Sequence, residues 1–168
     1  VVSTYTKALQ NQLFVKDLPF LARVMDPDLR FEMCMGSDNY LCLRKALRQD
    51  IEKLFPQKSK GRQAERISAW MRSTDTGLVT DLDLAPDRSV WQAFSREHDM
   101  CLGRKCPFAG DCFYRRARYR QARASILVSN HSLLFTELFA GVKVLPDFHA
   151  IVLDEAHTLE DVATTHLG

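Results

Sequence analysis

Apolar residues in this chain fall into short unbroken runs near its two ends and helically spaced sets between them. Residues 1–4 (VVST) predict a short buried strand. Thr6 predicts a helix cap, because its hydroxyl accepts a first-turn N–H that has no partner inside the helix. Leu9, Leu13 and residues 15–18 keep helical spacing until Pro19 breaks or bends the pattern. From 31 to 100 the chain is polar and helical, with helices predicted at 43–55, 62–72 and 90–94 and a basic linker, QKSKG, at 57–61. Nothing there alternates with period two, so the region reads as a small helical insertion. Beyond it, 113–123 predicts a basic helix, 125–129 (SILVS) a strand and 132–139 a helix. A second buried strand is predicted at 150–153 (AIVL), and another helix begins at 161–165. Strands alternating with helices imply a parallel sheet with right-handed crossovers, and strands without polar alternation imply helices on both faces. The expected fold class is α/β: a sheet domain over 1–30, the insertion over 31–116, and the sheet domain resumed over 117–168.

Composition narrows this little. In 168 residues, 46% are hydrophobic and 26% charged, as in ordinary globular chains. No apolar run approaches the ~18 residues that span a bilayer, and residues 1–4 lack a signal peptide's charged start. The expected location is the cytoplasm, with no membrane partner. The chain starts without Met on a strand and ends where a helix begins, so a fragment of a longer protein is expected. Net charge is only +2, but residues 101–124 hold seven Lys/Arg against one acid, Asp111. On a helix Arg116, Arg120 and Arg123 share one stripe beside Tyr119. Such a stripe follows phosphates while the aromatic stacks on a base; the plain alternative is a solvated face. Thr4 and Thr6 at one strand end, and Asn130-His131 at another, offer further contacts to a single-strand backbone, with ordinary capping as the alternative. Trp70 and Trp91 fall at apolar spacing and read as core.

The segment IVLDEAH, at 151–157, sets two carboxylates after an apolar strand, where open α/β sheets bind ligands. A nucleoside triphosphate with Mg²⁺ needs such a pair: Asp154 to hold the metal through water, Glu155 to orient and deprotonate the attacking water. His157 lies where it can sense a γ-phosphate. The competing reading is a helix start whose acids favour the dipole.

Five cysteines and no export signal favour metal ligation over disulfides. CLGRKCPFAGDC brings Cys101, Cys106 and Cys112 from one loop, with Gly103 and Pro107 shaping its turns and Gly110 easing backbone approach. The spacing is loose for a zinc ribbon and suits an iron–sulfur cluster. The fourth ligand is either Cys42, across 58 intervening residues, or His98, which would make a CCCH zinc site. Closing the longer loop costs little extra, because the cost grows logarithmically. Cys34, between Met33 and Met35, reads as a small core residue.

VVSTYTKALQNQL resembles motif Ia, SILVSNHSLL the strand before motif II, and DEAHTLED motif II of the DinG/XPD iron–sulfur helicases, within the DEAH-type superfamily 2 enzymes. The resemblance covers essentially the whole chain and is stronger to bacterial DinG-like helicases. Tyr5 stands where the family commonly has His. The resemblance implies part of a RecA-like P-loop NTPase motor domain with an inserted, mostly helical iron–sulfur domain. It implies a [4Fe–4S] cluster on Cys42, Cys101, Cys106 and Cys112. ATP and Mg²⁺ would bind at Asp154 and Glu155, and the enzyme would move 5′ to 3′ on single-stranded DNA to unwind duplex or forked DNA in repair and replication. A single-stranded-DNA-binding protein is a further expected partner. No GxxxxGK[ST] occurs, so the chain alone is expected not to hydrolyse ATP. The rival from another class is a non-enzymatic zinc module that binds nucleic acid; a DEAH-type RNA helicase would leave the cysteines without a purpose.

Overall fold

β1 (Val2–Thr4) leads to Thr6, whose hydroxyl accepts the Leu9 N–H at 3.2 Å and caps α1 (Lys7–Gln12), as expected. The helix then widens through a π turn at Leu13–Asp17 and continues as α2 (Leu18–Met25). Pro19 accounts for the wide turn: it has no N–H, and its ring crowds the carbonyl four residues back. The Leu18 N–H accordingly reaches Leu13 O, five residues back. These features belong to a computed structural model, which describes residues 1–48, 50–140 and 143–167.

β2 (Phe31–Met33) follows, a strand inside the region expected to be helical. At three half-buried residues it is too short to carry an alternating pattern. Its place is set by pairing with a strand distant in the chain, not by its own composition. The helix expected over 43–55 is two short pieces, α3 (Leu43–Ala46) and α4 (Ile51–Leu54). Asp50 restarts it, taking an extended backbone and accepting the Lys53 N–H at 3.3 Å. Next come α5 (Lys58–Trp70), α6 (Arg88–Phe94), α7 (Phe113–Gln121), β3 (Ile126–Asn130), α8 (His131–Ala140), β4 (Val152–Leu153) and α9 (Leu159–Leu167). Among the described residues no helix is long and apolar enough to cross a membrane.

The chain packs as two units, Val1–Gly36 with Arg118–Gly168, and Ser37–Ala117. In the first, the four strands are parallel in the order β2-β3-β1-β4, an α/β arrangement consistent with a RecA-like fold. Register pairs Thr4 with Asn130 and Ser3 with both Ser129 and Leu153, so β1, β3 and β4 end side by side. Cys34, Leu127, Leu134 and Leu145 form the core, with Cys34 in the small-core role expected of it. Burial pushes its thiol up to about 12. Gln10 fastens α1 to the sheet, its Nε2 donating to Cys34 O at 3.0 Å and Val128 O at 3.2 Å. One expectation is corrected here. β4 is not buried: it pairs only with β1, at one edge of the described sheet, and leaves Val152 59% and Leu153 40% exposed.

In the second unit, Ala64 and Ile67 of α5, Val90 and Phe94 of α6, and Tyr40, Leu41 and Phe113 are buried. Trp70 and Trp91 are half-buried, and Trp91 Nε1 donates to Asp38 O at 2.7 Å. Gly77 has φ +66°, and a Cβ there would lie 2.4 Å from the Phe113 ring. The left-handed turn and the aromatic occupying the missing side chain's space both require glycine.

Candidate functional sites

Cys42, Cys101, Cys106 and Cys112 all line one cavity of about 120 Å³ within the second unit. Backbone pairing brings Cys42 there: its N–H donates to Phe94 O, and the Arg96 N–H donates to Tyr40 O, both at 2.8 Å. Arg44 Nη2 reaches Met100 O at 2.5 Å and ties the start of α3 to the residue before Cys101. The Cys101–Cys112 loop is folded by its own turns. Gly103 takes φ +55°, its N–H points to Cys101 Sγ at 3.5 Å, and the Ala109 N–H meets Cys106 O at 3.0 Å. Cys112 O accepts the Arg116 N–H at 3.0 Å in the first turn of α7. Gly110 has no positive φ, and nothing lies within 4 Å of the place a Cβ would take there. All four cysteines are free thiols.

Among the described residues no three His, Cys, Asp or Glu side chains gather tightly enough to hold one metal ion. The four cysteines share the lining of one cavity without closing on a single-ion site. Arg96 also lines the cavity, its guanidinium 4.2 Å above the Tyr114 ring, and its Nη1 is buried without a hydrogen-bond partner. A buried, unmet cationic donor beside four thiols fits an anionic, sulfur-rich occupant. His98 does not line this cavity; its side chain is exposed and sits 3.1 Å from Asp99.

The second constellation lies at the carboxyl ends of β1, β3 and β4. Asp154 and Glu155 follow β4 directly and both are exposed. The Asp154 N–H pairs with Ser3 O at 2.9 Å. Glu155 has φ +53°, the one non-glycine residue with positive φ among the described residues, and its carboxylate lies 3.4 Å from His157 Nδ1. Left-handed backbone on such a residue is a form of strain that clusters at functional sites. Thr6 and Asn130 act as helix caps, Asn130 Oδ1 accepting the Leu133 N–H at 2.9 Å. Thr4 and His131 are fully buried with their polar atoms turned inward, so their side chains are not the exposed strand contacts expected of them. Thr4 Oγ1 donates to Thr6 O at 3.2 Å.

No family model matches the chain. Individual proteins do. The chain is 36% identical over 183 residues to the ATP-dependent helicase DinG of Mycobacterium tuberculosis, with 98% of the chain and 28% of that protein covered. It is 33% identical over 182 residues to the ATP-dependent DNA helicase DinG of Escherichia coli K12, covering 97% of the chain and 25% of the relative. To the ATP-dependent DNA helicase YoaA of Haemophilus influenzae it is 30% identical over 173 residues, covering 100% and 27%. Over nearly its whole length the chain is similar to DinG-like helicases. It spans about a quarter of the length of these DinG-like relatives.

The basic stripe of this DinG-like stretch is unevenly engaged. Arg120 pairs with Glu32 at 3.0 Å, and Arg116 donates to Asp75 O at 3.2 Å with its guanidinium 4.9 Å from the Phe113 ring. Tyr119 is 66% exposed, with the Arg123 guanidinium 5.5 Å from its ring. The open aromatic–cation pair is therefore Tyr119 with Arg123. Sequence reasoning missed Ser3, Gly77 and Arg96. Ser3 and Arg96 carry no local signal. Gly77, in the run STDTG, has the composition of a turn.

Proposed function

We propose that the chain is part of the first motor domain of an ATP-dependent DNA helicase, with the Ser37–Ala117 unit as an inserted [4Fe–4S] domain. The observation that carries this is similarity over nearly the whole chain to proteins named ATP-dependent DNA helicases, with IVLDEAH at the carboxyl end of a parallel strand. Asp154 and Glu155 are exposed at that end, where an open α/β sheet binds its ligand. Asp154 is suited to hold hydrated Mg²⁺ at the phosphates of ATP. Glu155 orients the attacking water and accepts its proton, while His157, beside Glu155, is placed to answer to the γ-phosphate.

Cys42, Cys101, Cys106 and Cys112 would hold the cluster, and the shared cavity with its unpaired Arg96 donor supports this. When bound, the cluster supplies a rigid crosslink between segments that 58 residues of sequence separate. The zinc-module alternative loses support, since its fourth ligand, His98, is not among the cavity's lining residues. Tyr119 offers a base-stacking face and Arg123 a phosphate contact on single-stranded DNA; movement is 5′ to 3′, with duplex unwinding. The test is metal analysis of anaerobically purified full-length protein. Brown protein with about four iron and four sulfide per chain is expected; colourless protein with stoichiometric zinc contradicts the cluster.

A further inference from the structure

His131 is a fully buried imidazole that none of the roles above uses. It is the first residue of α8, directly after β3, and both ring nitrogens are engaged. Nδ1 lies 2.8 Å from Ser3 Oγ, itself fully buried, and Nε2 lies 2.8 Å from Asp154 O. A carbonyl oxygen only accepts, so Nε2 carries a proton. In the tautomer with the proton on Nε2, Nδ1 accepts a hydrogen bond from the Ser3 hydroxyl. One side chain thus joins the ends of three adjacent strands: its own β3, β1 through Ser3, and β4 through Asp154.

The oxygen it holds belongs to the peptide between Asp154 and Glu155. Rotation of that peptide plane changes ψ of Asp154 and φ of Glu155 together, and Glu155 is held at φ +53°. Left-handed backbone on a β-carbon residue persists only where surrounding contacts over-determine it. On the amide side of Asp154 the sheet bond to Ser3 O fixes the N–H; on the carbonyl side His131 fixes the oxygen. Ser3 is a partner in the first and, through His131 Nδ1, holds the ring that makes the second.

From this we infer that His131 is a positioning residue for the water-activating carboxylate: it locks the Asp154–Glu155 peptide, and Ser3 locks His131. This rests on the helicase reading of Asp154 and Glu155. It also gives the strand that leads to Thr4 and Thr6 a direct mechanical hold on the ATP site. A displacement of β1 moves Ser3, then the ring, then the peptide that sets Glu155.

The test uses the full-length protein and single-stranded-DNA-stimulated ATP hydrolysis, comparing wild type with His131→Ala, His131→Gln and Ser3→Ala. Misplacing a reacting group by about 1 Å costs up to about 100-fold in rate. His131→Ala is expected to lower kcat about 10- to 100-fold, with KM for ATP within about threefold. Gln retains one donor and one acceptor and should recover part of that loss; Ser3→Ala, a small change, should lower kcat less than His131→Ala does. Variants that fold and keep wild-type kcat overturn the inference. So does loss of kcat and thermal stability together without recovery by Gln, which marks a purely structural histidine. Absence of turnover in wild type defeats the helicase reading itself, and this inference with it.

Discussion

Gly77→Ala tests how the cysteine cavity is built. The new Cβ would sit 2.4, 2.6 and 2.8 Å from Phe113 Cγ, Cδ2 and Cβ, on a backbone with φ +66°. Left-handed backbone costs a β-carbon residue about 1–2 kcal/mol. Overpacking a filled site costs about 1–3 kcal/mol, and the stiffer unfolded chain returns about 0.4–1 kcal/mol. A net loss of about 1–4.6 kcal/mol is expected. Gly77 O accepts the Leu41 N–H at 2.8 Å, so hydrogen exchange at the Leu41 amide reports the damage. At 1.4 kcal/mol per factor of ten, that amide should exchange roughly 5- to 2,000-fold faster. Phe113 follows Cys112, so bound iron should fall as well. Gly103→Ala, with φ +55° and nothing within 4 Å, carries the backbone cost alone, about 1–2 kcal/mol. Gly110→Ala, in open space without positive φ, is the control and should be silent. Wild-type exchange at Leu41 and full iron content in Gly77→Ala would refute the reasoning.

Three further outcomes follow from particular contacts. Cys42→Ser should abolish stoichiometric iron binding and His98→Ala should leave it intact; the reverse pattern restores the zinc alternative. Tyr119→Ala should weaken single-strand binding by about 1–3 kcal/mol, the worth of one stacked base, while Arg120→Ala should cost less because Glu32 already holds it; fluorescence anisotropy measures both. Cys34, pushed up from 9.0 to about 12 by burial, stays a thiol throughout the physiological range and should resist alkylation at pH 8 in the folded protein. Its folded value lies above its unfolded one, so its stabilising contribution is full below pH 9 and is lost between about 9 and 12, readable as a fall in Tm in the wild type that Cys34→Ala lacks.

What could be read from residue order was whatever local pattern decides. The Thr6 cap, β1, β3 and α7 emerge from runs and spacings a few residues long. Cys101, Cys106 and Cys112 announce themselves by type and grouping, whereas Cys42 stands far off in the chain and joins them only in the lining of one cavity. What escaped was set by partners far away in the chain. β2 exists because Phe31–Met33 pairs with residues 126–128. An apolar run at 150–153 says nothing about whether its strand lies in the middle of a sheet or at an edge. Asn130-His131 looked like a strand-end contact, but His131 is drawn inward by Ser3, 128 positions away, and by Asp154, 23 positions away. Arg120 is taken from its stripe by Glu32, 88 positions back.

The central claim, that this chain carries the metal-binding and water-activating acids of a DNA-dependent motor, comes down to Glu155. ATP hydrolysis by the full-length protein should be measured with and without single-stranded DNA, in wild type and in Glu155→Gln. The account predicts DNA-stimulated turnover in wild type and a loss of at least about 100-fold in kcat in the variant, with ATP binding retained. Turnover that survives in Glu155→Gln, or a wild type that DNA does not stimulate, would contradict it.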